Sequence, residues 1–261
     1  MSWRSVLLLP MLIRNDRRAP RDERVAWDRY WAGVRRTGAG GDVLWDGASA
    51  RELAWVLDTA RRCFDRTLPL VDIGCGNGRY TRALAEVAST ALGIDVSQNA
   101  IAHAWRESEG RVRVAYRTLD VTAPEVGASL ARELGDANAF VRGVLHVLDD
   151  ARRLSLVENL RALLGSRGTV LLVETVFRGS KLDYIEFLGA GGIHIPAPLR
   201  RLIEAGLQPP SHFGRAELDR FFPVDRWERL ESGPAVLDAV ATRADAPLTA
   251  IPGFYAVLRP R

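Results

Sequence analysis

Apolar runs alternate with stretches of helical periodicity through the middle of this 261-residue chain. The runs are short and rich in branched side chains, as in buried strands, and the stretches between them place apolar residues three and four apart. The predicted order is a strand from Leu70, helix 79–88, strand 91–95, helix 98–107, strand 112–117, helix 123–134, strand 138–142, helix 149–164 and strand 168–174. Strands separated by helices favour a parallel sheet with right-handed crossovers and helices on both faces.

The pattern changes on either side of this alternation. Two further helices are predicted before it, at 22–34 and 48–64. After it, glycines, prolines and short helical runs occupy 176–222, and strands are predicted only at 226–231 and 254–258. We therefore expect a flexible extension at 1–21 and a single domain at 22–261, in which 176–222 forms a small insert or cap after the fifth strand.

Three alternating glycines separate the strand that begins at Leu70 from helix 79–88. Gly74, Gly76 and Gly78 follow the apolar residues Val71 and Ile73 directly. Glycine permits positive φ and lets a ligand approach the backbone, while the first N–H groups of the next helix remain free donors. The turn therefore predicts a site for the polar part of a nucleotide-like ligand, although a purely structural turn would show the same pattern.

Two acidic residues narrow the kind of ligand. Asp95 follows the second strand, and a carboxylate about 20 residues beyond such a turn suits paired ribose hydroxyls. Asp72 stands just before the glycines, where it would repel a phosphate but could receive an ammonium group, usually through water. The spacing G-x-G-x-G also differs from the dinucleotide pattern G-x-G-x-x-G. An amino-acid-bearing nucleoside fits this turn better than NAD.

The residues from Val71 to Gly78 resemble the first motif of class I S-adenosylmethionine-dependent methyltransferases, (V/L)D-(I/V)-G-C-G-x-G. From about Trp27 onward the chain is similar to bacterial small-molecule methyltransferases. The resemblance implies a Rossmann-like, seven-stranded, mostly parallel sheet with 254–258 as its antiparallel strand. It also implies S-adenosyl-L-methionine (SAM) as cofactor and S-adenosyl-L-homocysteine (SAH) as product.

The residues predicted to bind this cofactor are Tyr30, Trp31, Asp72, Gly74, Cys75, Gly76, Asn77, Gly78, Asp95, Val96, Asp120, Val121 and Arg142. Three of these assignments have open alternatives. Asp120 would accept the adenine amine or cap a helix. Arg142 would bind the methionine carboxylate or an acidic substrate, or would pair with a structural carboxylate. Tyr30 and other aromatic residues would close over the sulfonium by cation–π attraction or pack in the core.

Methyl transfer from a sulfonium requires mainly alignment, and a base only where the acceptor keeps its proton. His146 and His194 are the candidate bases, against the alternative of a packed histidine. Residues predicted to contact the acceptor are Trp45, Glu174, Tyr184, His194, His212 and Phe213. For Glu174, a buried acid bonded to the backbone is an equal alternative.

We therefore predict SAM-dependent methyl transfer to oxygen, nitrogen or carbon of a small organic acceptor. The alternative is a methyltransferase-fold protein that binds the cofactor but has a non-methyl, cyclase-like role or a binding role. Arg142-Gly143-Val144-Leu145 stands where methyltransferases of DNA amino groups carry (N/D)-P-P-(Y/F), and the paired-glutamate loop of protein arginine methyltransferases is not evident.

Composition argues against nucleic acids, metals and membranes as partners. The net charge is only +4, and the basic cluster near the start alternates with acids, which favours a solvated segment over a nucleic-acid surface. The two cysteines, Cys63 and Cys75, show no metal-ligand spacing and no disulfide framework, so no metal and a cytoplasmic location are expected. The apolar run 6–13 is broken by Pro10 and too short to span a membrane. A monomer or homodimer acting on a small molecule is predicted.

Overall fold

The computed structural model describes residues 20–47, 49–191, 195–208, 211–240 and 248–261. These residues form a sheet of seven strands: β1 Leu70–Ile73, β2 Ala91–Asp95, β3 Val114–Thr118, β4 Asn138–Arg142, β5 Val170–Thr175, β6 Trp227–Val240 and β7 Leu248–Pro260. The strand order is β3-β2-β1-β4-β5-β7-β6. Strands β1 to β5 are parallel, and β7 lies antiparallel between β5 and β6. The predicted Rossmann-like, mostly parallel sheet is confirmed.

Helices precede the sheet and connect its strands. In chain order they are α1 Glu23–Ala32, α2 Ala50–Cys63, α3 Arg79–Leu84, α4 Gln98–Glu107, α5 Val126–Leu134, α6 Asp150–Leu164, α7 Lys181–Phe187, α8 Ala197–Ala205 and α9 Arg215–Phe221, with a single 3₁₀ turn at Leu145–Val147. Helices α7 and α8 follow β5 and lie within the predicted insert.

The two faces of the sheet belong to separate hydrophobic clusters. Leu70 and Phe140 pack into one cluster, whereas Val71, Ile73 and Val141 pack into the other. This division follows from the period of two along a strand, which sends neighbouring side chains to opposite faces. Both faces are therefore covered, and the polar chemistry concentrates where the strands end.

The register brings the carboxyl ends of the central strands together. Asp72 of β1 lies opposite Gly93 of β2 on one side and Phe140 of β4 on the other. In open α/β sheets, ligands bind outside this edge, where the strand order reverses. Here the order reverses between β1 and β4, so the glycine turn and the end of β4 face the same space.

Several predicted boundaries differ from the structure, and for two of them the reason is identifiable. Strand β6 runs on to Val240 through Gly233 and Pro234, although such residues usually end a strand. Proline is tolerated there because β6 is an edge strand whose outward N–H needs no partner. Helix α5 begins at Val126 because Glu125 adopts a left-handed conformation with φ of 63°.

Some expectations concern residues beyond these ranges. His194 lies outside the described residues, as do 1–19 of the predicted extension. Within the described ranges, no helix is both long enough and apolar enough to cross a lipid bilayer.

Candidate active site

A cavity of about 670 Å³ lies at the carboxyl edge of the sheet. One part of it borders the glycine turn, and another borders α7, α8 and the β6–β7 hairpin. The predicted site residues that line it are Trp31, Trp45, Asp72, Gly74, Cys75, Gly76, Asn77, Asp95, Val96, Asp120, Val121, Arg142, His146 and Tyr184. Tyr30, Gly78, Glu174, His212 and Phe213 are not part of the lining.

The glycine turn requires glycine on steric grounds. Gly76 has a φ of +55°, and a Cβ there would stand 2.9 Å from the ring of Trp31. Gly78 has a φ of +74°, and a Cβ there would stand 2.5 Å from the hydroxyl of Tyr116. A side chain at either position would be strained and would collide with an aromatic ring. The turn therefore presents bare backbone to the cavity, while Gly78 itself packs behind it.

The Asp95 carboxylate faces the cavity from the end of β2. One oxygen accepts the N–H of Gly76 at 3.0 Å, and the other accepts the N–H of Ser97 at 2.9 Å. Burial nevertheless raises the pKa of Asp95 to about 6, because these hydrogen bonds do not fully replace water. Hydroxyl groups of a ligand would supply the missing donors.

Asp72 is the more strongly perturbed acid. It is 3% exposed, and it accepts a hydrogen bond from the Thr81 hydroxyl at 2.5 Å. Burial raises its pKa to about 7, and the nearby charge of Asp95 acts in the same direction. A cation placed beside Asp72 would favour its ionised form. The acid is thus suited to receive an ammonium group from the ligand.

Four aromatic side chains from α1 and the following loop cluster at one wall, and three of them, Trp27, Trp31 and Trp45, line the cavity. Trp31 covers Gly76, and Trp45 stacks on Tyr30 with ring centroids 5.0 Å apart. Trp27 meets Trp45 edge-on at 5.4 Å. Tyr30 is fully buried behind the others, where its hydroxyl accepts the N–H of Leu44 at 3.2 Å. Its environment is that of a core aromatic, the alternative considered above.

Asn77 anchors the glycine turn through two acids that the sequence did not single out. Its side-chain amide donates to Asp46 at 3.0 Å and to Glu107 at 3.1 Å. Asp46 also accepts from Arg79 at 3.2 Å and itself lines the cavity. No motif marks either acid, since the three elements involved are far apart in the chain.

Arg142 pairs with a buried carboxylate, one of the alternatives predicted for it. Its Nε and Nη2 donate to the two oxygens of Glu52 at 2.6 and 3.0 Å, and Nη1 donates to the carbonyl of Trp45 at 3.3 Å. Glu52 also accepts the N–H of Asp238 at 2.9 Å. The pKa of Arg142 is raised despite its burial, because Tyr80 and Glu52 face it. Glu52 was not predicted as a site residue. The one feature that could have indicated it is the presence of an acidic residue on the buried face of α2.

His146 lines the cavity and is held by Glu174. The imidazole Nδ1 lies 2.6 Å from Oε2 of Glu174. The same carboxylate accepts the backbone N–H groups of residues 144, 145 and 146 at 3.1, 2.9 and 3.2 Å. Glu174 thus lies behind the cavity wall and orients the loop, as its backbone-bonded alternative requires. An ionised carboxylate accepts at this distance, so in the neutral imidazole Nδ1 would carry the hydrogen and Nε2 the lone pair.

Asp120 lies on the cavity wall beyond β3. One oxygen accepts both the N–H and the hydroxyl of Thr122, at 2.9 and 2.6 Å. The other lies 3.8 Å from Nη1 of Arg24, which approaches from α1. Asp120 closes a local turn rather than capping α5, and one of its oxygens is directed to the charged rim of the cavity.

His212 and Phe213 pack away from the cavity. Nδ1 of His212 lies 3.0 Å from the carbonyl oxygen of Val176. Phe213 is 1% exposed, and the guanidinium of Arg153 lies 5.6 Å from its ring centroid. The chain turns back onto β5 here, since the N–H of Phe213 donates to the carbonyl of Thr175. Neither side chain is placed to contact a ligand in the cavity.

The predicted insert contributes the remaining wall. Within it, only Tyr184 had been predicted as an acceptor contact among the described lining residues. The structure adds apolar side chains from α7 and α8, namely Leu182, Ile185, Leu199, Leu202 and Ile203. The sequence had predicted a helical run at 199–205, within α8, but neither α7 nor the surface that the two helices cover.

Similarity to known proteins agrees with this arrangement. A family model described as a methyltransferase domain matches residues 71–170, from β1 to the start of β5. The chain is 33% identical over 153 residues to a ubiquinone biosynthesis O-methyltransferase of Methylococcus capsulatus, and 30% identical over 125 residues to one of Leptothrix cholodnii. These matches cover 58% and 47% of this chain, and they span 59% and 50% of the two relatives.

A solved structure matches over nearly the whole chain. It is a SAM-dependent methyltransferase of Anabaena variabilis, 30% identical, with a TM-score of 0.77 and coverage of 93% of this chain and 97% of the other. The family predicted from residues Val71 to Gly78 is confirmed, together with the cofactor that the family uses. The chain belongs to the SAM-dependent methyltransferases.

Proposed function

We propose that this protein transfers a methyl group from SAM to an oxygen of a small, mostly apolar organic acceptor. One observation carries the proposal. A single cavity joins the acid-flanked glycine turn to an apolar wall, and His146 lines that same cavity. The names of the two curated relatives, both O-methyltransferases, favour oxygen over the nitrogen and carbon acceptors that the sequence also allows.

The cofactor would be held by the polar part of the cavity. The turn from Gly74 to Gly78 would contact the methionine end, where Asp72 would receive the ammonium group. Asp95 would accept the ribose hydroxyls, and Asp120 would accept the adenine amine. The raised pKa values of Asp72 and Asp95 support these roles, because each acid lacks the partner that would stabilise its charge. When bound, SAM supplies a methyl group on a cationic sulfur that an acceptor atom displaces in line.

The protein's own residues would align the acceptor and remove its proton. Nε2 of His146 would take the hydroxyl proton, and Glu174 would stabilise the resulting imidazolium. The apolar residues of α7 and α8 would exclude water from the reacting atoms. Residues 176–222 therefore act as the acceptor-binding segment.

Calorimetry tests the cofactor part of this proposal. SAM and SAH are expected to bind, whereas NAD is not. Asp95→Asn should weaken SAH binding by about tenfold or more, since it removes a charged acceptor of hydrogen bonds. Asp58→Asn is the matched control, because Asp58 is an exposed acid on α2 with 65% of its side chain accessible. Binding of NAD without either sulfur ligand would contradict the proposal.

A transfer assay tests the reaction. SAM carrying an isotopically labelled methyl group is incubated with panels of phenols, amines and activated carbon acids, and label in each product is measured by mass spectrometry. Label on a phenol is the expected result. SAH binding with no labelled product in any panel would instead favour the alternative of a cyclase-like or binding protein.

A further inference from the structure

The acceptor side of the cavity is mostly apolar. Four elements contribute to it: α7, α8, β6 and β7. Their side chains in the lining include Leu182, Ile185, Leu199, Ile203, Leu237 and Ile251. An apolar wall of this kind binds apolar surface and penalises an unpaired charge.

Every arginine in the described part of the cavity lining already has a carboxylate partner within 4 Å. Arg142 pairs with Glu52, Arg79 with Asp46, Arg152 with Glu23, and Arg24 with Asp22 and Asp120. The cavity therefore offers no unpaired cation among its described residues to match an anionic acceptor.

The acidic residue on the acceptor side, Asp238, also has hydrogen-bond and ion-pair partners within the protein. Asp238 of β6 accepts from the Ser49 hydroxyl at 2.5 Å and from Arg51 at 3.0 Å. The two acids that lack a full set of partners, Asp72 and Asp95, lie at the glycine turn and are assigned to the cofactor. A cationic acceptor thus finds no matching charge at the apolar wall.

One polar group on that wall, the hydroxyl of Tyr184, is available to a ligand. The Tyr184 side chain is 8% exposed and lines the cavity, yet its hydroxyl has no hydrogen-bond partner among the residues that the structure describes. Burial raises the pKa of this phenol, with no other group contributing. Phe177 meets its ring edge-on at 5.1 Å and holds it in place. A hydroxyl that borders the cavity and has no partner among the described residues can hydrogen-bond to a ligand atom.

Building on the proposed function, we infer that the acceptor is an uncharged, mostly apolar compound that carries two oxygen groups. The hydroxyl to be methylated meets His146, and the second oxygen hydrogen-bonds to Tyr184. Tyr184 is then a specificity-determining residue, since it selects for an acceptor with the second oxygen against one without it.

Binding to the protein saturated with SAH tests this inference without requiring turnover. The probes are naphthol, naphthoate and the series of dihydroxynaphthalene isomers, which share one skeleton and differ in charge and in the second oxygen. Naphthol is expected to bind at least about tenfold more tightly than naphthoate, because the wall offers no cation. At least one diol isomer should bind about two- to tenfold more tightly than naphthol, the range expected for one hydrogen bond.

Two tyrosine variants locate the second oxygen. Tyr184→Phe should remove the advantage of the diol over naphthol. Tyr255→Phe should preserve that advantage, because the Tyr255 hydroxyl donates to Glu231 at 2.6 Å and lies outside the cavity lining.

The outcomes separate this inference from the proposed function. Failure of SAH itself to bind would overturn the proposed function. With SAH bound, three results would overturn the inference alone: naphthoate binding as tightly as naphthol, no binding of any neutral probe, or a diol advantage that persists in Tyr184→Phe.

Discussion

Nδ1 of His146 and Oε2 of Glu174 lie 2.6 Å apart, and the same carboxylate accepts three consecutive backbone N–H groups. The pair joins the end of β5 to the loop after β4. Since both atoms and the loop are held together, the orientation of the imidazole is set by the folded protein before any ligand binds. This fixed orientation supports the proposed role of His146 as a general base.

Replacing His146 should reduce turnover while leaving cofactor binding intact. For a phenolic acceptor, His146→Gln is expected to lower kcat by about a hundredfold or more, the usual contribution of a general base. The Kd for SAH should change less than about twofold, since His146 is assigned to the acceptor. His212→Gln is the matched control, because His212 lies outside the cavity lining. Equal kcat values in all three proteins would mean that alignment alone accounts for the reaction.

The affinity for SAH should increase as pH rises. Only the ionised carboxylate of Asp72 attracts the ammonium group, and its pKa is raised to about 7. The Kd for SAH is therefore expected to fall about tenfold between about pH 6 and pH 8. Adenosine lacks the amino-acid group and depends on Asp95 instead, whose pKa is raised to about 6. The affinity for adenosine should therefore increase with pH over a lower range than the affinity for SAH does, and it should be constant above about pH 7.

A variant separates the two acids in that experiment. Asp72→Asn should bind SAH weakly and with little pH dependence above about pH 7, yet bind adenosine like the parent protein. A parallel loss of adenosine binding would place Asp72 at the nucleoside instead of the methionine end.

Asp72 should also reduce the stability of the ligand-free protein at neutral and alkaline pH. Its folded-state pKa of about 7 lies above the ordinary value of 3.8, so the native state retains a proton that the unfolded state releases. Stability from this group is complete below about pH 4 and is lost as pH rises through about 7. Asp72→Asn is therefore expected to raise the Tm at pH 8 and to change it little at pH 4.

An acid with the opposite shift provides the contrast. Hydrogen bonds from Thr67, and then Arg167, lower the pKa of Asp65 to about 2. The stability that Asp65 contributes to the folded state is present above about pH 4 and is lost as pH falls through about 2. Asp65→Asn should therefore lower the Tm at pH 8. Thermal unfolding followed by circular dichroism measures both variants, and shifts of the same sign at pH 8 would refute the assignment.

The Arg142–Glu52 pair should matter more for stability than an exposed pair. Glu52→Gln leaves a buried guanidinium without its counter-charge and is expected to cost about 3–5 kcal/mol in the free energy of unfolding. Glu133→Gln removes an acid from an exposed pair with Arg117, in which the Glu133 side chain is 49% accessible and the Arg117 side chain 44%, and it should cost far less because solvent screens the pair. Unfolding by denaturant measures the loss of stability in each of the two variants.

A second variant checks that the cost comes from the unpaired charge. Adding Arg142→Met to Glu52→Gln should recover part of the lost stability, since no buried charge then remains. A double variant less stable than Glu52→Gln would show instead that Arg142 stabilises the fold through its contacts with Trp45 and Tyr80.

The central sheet was predictable because its strands are buried on both faces. The strands at 91–95 and 138–142 have continuous apolar centres with a polar residue at one or both ends, and their predicted limits coincide with those observed. Strand β6 was predicted only in part, at 226–231. Beyond Glu231 its exposed and buried residues alternate irregularly around Gly233 and Pro234, and only pairing with β7 keeps the strand extended.

In the site, residues that are close in sequence were predicted and pairs that are distant were not. Asp72, Gly76 and Asp95 belong to a pattern with fixed spacing, and the structure places all three on the cavity wall. Glu52 reaches Arg142 across 90 positions, a relation that no periodicity encodes. His212 was chosen by residue type alone, and the backbone around it turns toward β5 and away from the cavity.

The β6–β7 hairpin extends past the sheet that it completes. Strand β7 pairs with β5 only from Gly253 onward, and its earlier residues, 248–252, pair with β6. Leu237 and Ile251, opposite each other in this projecting ribbon, line the cavity. These two residues, like α7 and α8, lie outside residues 71–170, the segment that the methyltransferase-domain model matches. Under the proposed function, substitutions after β5 would change the choice of acceptor without altering the glycine turn or its acids.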